Sequence, residues 1–217
     1  MDQIPARAVV LAAALPAAFE SAVLVQCVET PRLPGLRPSR HAALTPAPLI
    51  GAALAEFDNP DAADRLAALL GGLGCAATRE VRAGGGRRRY EVHGVLVPGH
   101  LRLAASGMLA AAWRQGRQAL LSPETLGVSS PRNLQRLALA HLSWRAVLLA
   151  GGRRKRADRL WVRLPDQDTA AVLVRAARLL GVSATVTRRP GCLVVTVPAS
   201  AAPVLTAAPV TAARVLC

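Results

Sequence analysis

The sequence predicts an α+β protein built from two tandem copies of one αββαββα unit. The copies are related by a pseudo-two-fold axis, with antiparallel sheets carrying helices on one face. Three stretches recurring in the same order predict the duplication. RAVVLAAA (Arg7–Ala14) returns as RAVLLAGG (Arg145–Gly152). LIGAALAEFDNPD, an apolar strand running into a helix start, returns as RLWVRLPDQD. LGCAATREVR (Leu73–Arg82) returns as LGVSATVTRR (Leu180–Arg189), with Leu73/Leu180, Gly74/Gly181, Ala77/Ala184, Thr78/Thr185 and Arg82/Arg189 identical at one offset.

Taken in order, Pro5–Leu15 is expected as the first helix and AVLVQCVE (Ala22–Glu29) as the first strand. The proline-rich stretch 30–48 reads as an extended loop inside the first unit. Asn59 or Asp58 is placed to cap a helix opened by Pro60, with Asp61 and Asp64 near its positive end. Leu66, Leu69, Leu70 and Leu73 then recur at helical spacing, and Gly74 supplies a left-handed stop. In the second copy Pro165 or Asp166 opens the helix, Leu173, Ala176, Ala177 and Leu180 form the stripe, and Gly181 ends it. A hairpin follows each helix, around AGGG in copy one and around Pro190-Gly191 in copy two. The second copy offers no counterpart of the first strand, GGRRKRAD standing in its place. Residues 1–115 thus read as the first unit, 116–142 as a linker and 143–217 as the second unit. The two recurring helices, Arg7–Leu15 and Arg145–Gly152, are expected side by side, since their small residues allow close approach.

Composition narrows the function. Of 217 residues 52% are apolar, which excludes a disordered chain, and only 3% are aromatic, so Ala, Leu and Val fill the core. Lys and Arg number 27 against 13 acids, for a net charge of +14, which favours a polyanionic partner. The arginine-over-lysine and alanine bias fits a GC-rich bacterial genome, but GC-rich codons supply acids as readily, so the acid deficit needs another cause. Cys27, Cys75, Cys192 and Cys217 are scattered, with no zinc spacing and no disulfide framework, and read as reduced core thiols. His41, His93, His100 and His141 stand in unlike contexts, so no catalytic residue and no metal site is expected. AGGGRRR lacks the Gly-Lys-Ser/Thr ending of a phosphate loop. The apolar run near the N-terminus is preceded by Asp2 and broken by Pro16 and Glu20, so the chain is expected to be cytoplasmic, with neither a leader nor a membrane span. No cofactor and no small-molecule substrate is indicated.

Two basic clusters are the candidate DNA-binding residues. One is Arg79, Arg82, Arg87, Arg88 and Arg89 around the first hairpin. The other is Arg153, Arg154, Lys155, Arg156, Arg159, Trp161 and Arg163. If 159–163 is a strand, Arg159, Trp161 and Arg163 share a face while Leu160, Val162 and Leu164 pack inward. Arginines around an aromatic suit phosphate contact with stacking; a solvated sheet face with Trp161 covered by another element is the other reading. In the first hairpin Thr78, Glu80 and Arg82 share one face of the outgoing strand, and Arg87, Arg89, Glu91 and His93 share a face of the return.

A helix ending in LLAGG at the head of such a unit, twice per chain, resembles the LAGLIDADG homing-endonuclease architecture. Within it, SWRAVLLAGG (Ser143–Gly152), LWVRLPDQDTAAVLVRAARLLGVSATV (Leu160–Val186) and VVTV are similar to the N-terminal domain of the WhiA family of bacterial sporulation and cell-division regulators. AEFDNPDAADRLAALL and GGGRRRYEV carry the weaker resemblance of the first half. The resemblance implies a DNA-contacting regulator. Two departures qualify it. The endonucleases end the signature helix in a metal-binding acid, whereas Ala12–Ala14 and Gly151-Gly152-Arg153 stand here, so the chain is expected not to be an enzyme. The helix-turn-helix domain usual in WhiA proteins would follow the second unit, which makes a separate helix-turn-helix regulator an expected protein partner. The competing expectation is an interaction scaffold with this fold and no direct DNA contact.

Overall fold

A computed structural model of the chain describes residues 10–28, 53–84, 90–123, 127, 129–151, 154–156 and 158–207. The first unit contains α1 (Leu15–Val28), β1 (Ala55–Phe57), α2 (Pro60–Gly72), β2 (Thr78–Gly84), β3 (Tyr90–Leu96) and α3 (Gly99–Leu121). The second contains α4 (Pro131–Ala150), β4 (Arg154–Arg156), β5 (Arg159–Leu164), α5 (Gln167–Leu179), β6 (Thr185–Arg189), β7 (Cys192–Pro198) and, after a 3-10 turn, α6 (Ala202–Thr206). All strand pairs are antiparallel, in two sheets ordered β1-β3-β2 and β4-β5-β7-β6.

The duplication is carried into the backbone. α2 and α5 span Pro60–Gly72 and Gln167–Leu179, a constant offset of 107 residues. Their caps obey it: Asn59 Oδ1 accepts from the Asp61 N–H at 3.1 Å, and Asp166 Oδ1 from the Thr169 N–H at 2.7 Å. So do their stops, Gly74 at φ 78° and Gly181 at φ 74°, a conformation open to glycine at little steric cost. The offset extends to the outer strands: Ala55 faces Val95 as Val162 faces Val195, and Arg82 faces Val92 as Arg189 faces Cys192.

Three expectations are corrected. The first signature helix is not Pro5–Leu15, and Ala22–Glu29 does not open with a strand: residues 15–28 are one helix, while 1–9 and 29–52, the proline-rich loop included, lie outside the described residues. Pro16 sits in the first turn of α1, where its missing N–H costs nothing. Ala18 to Val25 are buried without a break, so no solvent-facing stripe reveals helical period, and an all-round buried helix reads like a buried strand. The helices packed side by side are α1 and α4: Arg145–Ala150 lies in α4, but its partner is Leu15–Val28 and not Arg7–Leu15. Second, the stretch 116–142 is mostly helical, divided between the end of α3 and the start of α4. Ser130 caps α4, its hydroxyl accepting from the Asn133 N–H, and buried Arg136 donates to the Ser122 carbonyl across the connection. Third, GGRRKRAD does supply a strand, β4, paired with β5.

One continuous core joins the units, with Phe19, Leu24, Phe57, Leu66, Trp144, Leu164 and Leu173 almost wholly buried. α3 crosses into the second unit, Arg117 meeting Asp168 at 2.9 Å. Between α1 and α3, Phe19 stacks on Trp113 with ring centroids 6.0 Å apart. Gly116 makes that approach possible, because a Cβ there would collide with the Phe19 ring. Gly→Ala inside a helix ordinarily gains about 1 kcal/mol. Here Gly116→Ala is expected to lose about 1–3 kcal/mol to overpacking, and Phe19→Leu should recover part of the loss in the double variant. Urea midpoints check both.

Candidate nucleic-acid interface

Helices cover one face of each sheet, and among the described residues no helix covers the other. In the first sheet Ala55, Phe57, His93 and Val95 are buried on the helix side. The register puts Glu56, Thr78, Glu80, Arg82, Val92, Gly94 and Leu96 on the open side. Arg79 shares the helix side with Val95 and reaches back to Asp64 on α2 at 2.8 Å. His93, whose Nδ1 is buried without a hydrogen-bond partner, lies on that side too, so the Glu91/His93 row is on the opposite face from Thr78, Glu80 and Arg82. Arg82 alone of the described first-cluster residues stands on the open face. It is held between Glu80 at 2.9 Å and Glu56 at 3.5 Å. The Arg82 hydrogen bond keeps the Glu80 carboxyl below its ordinary range, and Glu80 in turn raises Arg82. Arg87, Arg88 and Arg89 lie outside the described residues.

The second sheet differs in charge. Alternation along β5 buries Leu160, Val162 and Leu164 and turns Arg159, Trp161 and Arg163 to the open side, as the sequence predicts. The register adds Thr185, Thr187 and Arg189 from β6 and Thr196 from β7. Arg159, Arg163 and Arg189 are exposed, and no carboxylate stands among the described residues of this face. The Arg163 guanidinium lies 5.6 Å from the centre of the half-buried Trp161 ring, so one ring face is taken by a cation–π contact within the protein. β4 aligns Arg154 with Trp161 and Arg156 with Arg159, whereas Lys155 aligns with the inward Leu160. Arg153 is outside the described residues. Arg189 was not among the residues singled out from sequence, although its identity with Arg82 across the repeat marked it.

At matched positions the sheets differ in charge. Glu56 corresponds to Arg163 and Glu80 to Thr187, while Arg82 and Arg189 are the same residue. The open face is therefore basic on the second sheet, while on the described part of the first Glu56 and Glu80 outweigh Arg82.

Between the sheets, α1 closes on Gln26, Cys27 and Val28, and α4 on Ala150 and Gly151. Burial, with the Asp166 carboxylate adding to it, pushes the Cys27 thiol up to about 12. Cys27, Cys75 and Cys192 are free thiols. Among the described residues no three His, Cys, Asp or Glu side chains gather as for a metal ion, and no helix is long and apolar enough to cross a membrane. His141 is lowered chiefly by burial.

A second unit of order αββαββα, joined through its first helix to a first unit whose described elements follow the same order apart from one strand, with both sheets open on one side among the described residues, defines the LAGLIDADG class of fold. The full-length DUF199/WhiA protein of Thermatoga maritima shares it, with a TM-score of 0.53 at 10% identity over 91% of this chain and 56% of that one. The chain thus spans little more than half of that protein's length. The N-terminal LAGLIDADG domain of DUF199/WhiA aligns with 84% of this chain, and 75% of its own, at 11% identity and a TM-score of 0.46. The homing endonuclease I-DmoI, solved with its target DNA and manganese, aligns at 13% identity and a TM-score of 0.48 over 89% of this chain and 96% of that one. No family model and no curated protein matches the sequence.

These findings correct the expectation that the chain is not an enzyme. The fold shared with the full-length WhiA protein carries no statement for or against catalysis in this chain. Ala12–Ala14 do not end the first signature helix but precede α1, whose last residue, Val28, is followed in sequence by Glu29, so the ground for expecting no enzyme falls away.

Proposed function

We propose that this protein binds duplex DNA along the open face of its two sheets, with the second sheet as the principal phosphate-gripping surface, and that it acts as a cytoplasmic regulator in the manner of WhiA. The observation that carries the reading is the row Arg159, Arg163 and Arg189, exposed on one face with no carboxylate among its described residues. Guanidiniums so placed present donors to phosphate oxygens and release counterions when they do. The fold shared with WhiA supports the regulatory part, in transcription linked to sporulation or cell division, and a helix-turn-helix protein as a partner on the same DNA. Titrating binding to a mixed-sequence duplex against salt tests the reading. The logarithm of affinity should fall with that of salt at a slope steeper than about −2.5, the share of three phosphate contacts. A flat slope, or no binding at low salt, would instead support an interaction scaffold.

A further inference from the structure

The helix side of the second sheet has an open groove where the first has an ion pair. In the first unit Arg79 on β2 bridges to Asp64 on α2 and closes the edge between strand and helix. At the same offset of 107 residues the second unit has Val186 and Ala171, which cannot form that bridge. The space is left open as a groove of about 500 Å³ between α5 and β6. Its floor is Ala170, Ala171, Val174 and Val186, the last 47% exposed, and Arg178 and Arg188 stand on its rim. Neither arginine has a carboxylate partner among the described residues. β6 is the last strand of its sheet and is exposed along its whole length, so its outer backbone groups are unpaired within the described structure.

We infer that this groove and the free edge of β6 together take an extended acidic segment of a partner protein by strand addition. A strand added beside β6 turns every second side chain to the helix side. Apolar side chains there cover Ala171 and Val186, and carboxylates reach Arg178 and Arg188 as charge-assisted hydrogen bonds. The apolar floor and the two bare cations define that chemistry together. A duplex does not meet it, because DNA on the open face lies on the other side of the sheet.

The test uses the full chain and a fluorescein-labelled decapeptide of repeating Val-Thr-Glu-Thr, which as a strand alternates valine and glutamate on one side. Fluorescence anisotropy should show saturable binding, with the Glu-to-Lys version of the peptide binding at least about tenfold more weakly. Arg178→Glu with Arg188→Glu should cost a similar factor, and amide exchange across 185–189 should slow when the peptide is bound. Ala171→Asp with Val186→Arg installs the closure of the first unit and should abolish binding while leaving the melting temperature within a few degrees. The inference is overturned if the acidic peptide fails to bind, if the lysine version binds as well, or if the closing pair has no effect. It is equally overturned if Arg178→Glu with Arg188→Glu weakens duplex DNA and not the peptide. DNA binding that survives the closing pair keeps this outcome distinct from the fate of the proposed function.

Discussion

Replacing Arg159, Arg163 and Arg189 together by alanine is expected to weaken duplex binding by roughly a hundredfold near 0.1 M salt. A charge pair about 4 Å apart in water contributes about 1 kcal/mol, and three such contacts give about two orders of magnitude. The salt slope should flatten by nearly three units, about equally for all duplex sequences, because phosphate contacts do not read bases. Folding stability should change little, since the three side chains are solvent-exposed. The two sheets should respond in opposite ways. Arg82→Ala should cost less than any of the three, because Glu56 and Glu80 already offset its charge. Glu56→Gln with Glu80→Gln should strengthen binding by unmasking Arg82. Trp161→Ala should cost about 1–3 kcal/mol only if a base stacks on the ring face away from Arg163, which favours single-stranded or distorted DNA. Equal losses on both sheets, or affinity unchanged in the triple variant, would return the arginine excess to genome composition.

The second large effect is expected in the core. Glu20 is 1% exposed, and its two oxygens accept paired hydrogen bonds from Arg65 on α2 and Arg145 on α4, at 2.7–3.1 Å. This one carboxylate ties α1 to the second helix of its own unit and to the first helix of the other. The arginines are 39% and 33% exposed, so they keep part of their hydration while the carboxylate keeps almost none. Arg65→Ala with Arg145→Ala should therefore destabilise by about 3–5 kcal/mol, the cost of leaving a buried charge unpaired. Each single substitution should cost far less, because the other bidentate pair remains. Glu20→Ala should also cost less than the double variant, since both guanidiniums have a path to water. Urea denaturation of the set checks the order, and a double variant that loses under about 1 kcal/mol would show that water or another donor reaches Glu20.

What the sequence determined by itself is what depends on near neighbours. Asn59 and Asp166 act on backbone N–H groups two or three residues on, Gly74 and Gly181 satisfy a local backbone requirement, and alternation alone sorts Arg159, Trp161 and Arg163 from Leu160, Val162 and Leu164. The tertiary structure decided what depends on distant partners. α1 could not be told from a strand because burial on all sides removes the polar stripe that marks a helix. Glu20, which in sequence only interrupts an apolar run, becomes the joint of three helices through arginines 45 and 125 residues away. Arg82 and Arg189 are the same residue at the same place in the repeat. Only packing the strands shows that carboxylates, one of them across the sheet on β1, offset Arg82, while the face of Arg189 has none among its described residues. Charge on a sheet is counted one strand at a time in a sequence, but its field is set by which strands lie together.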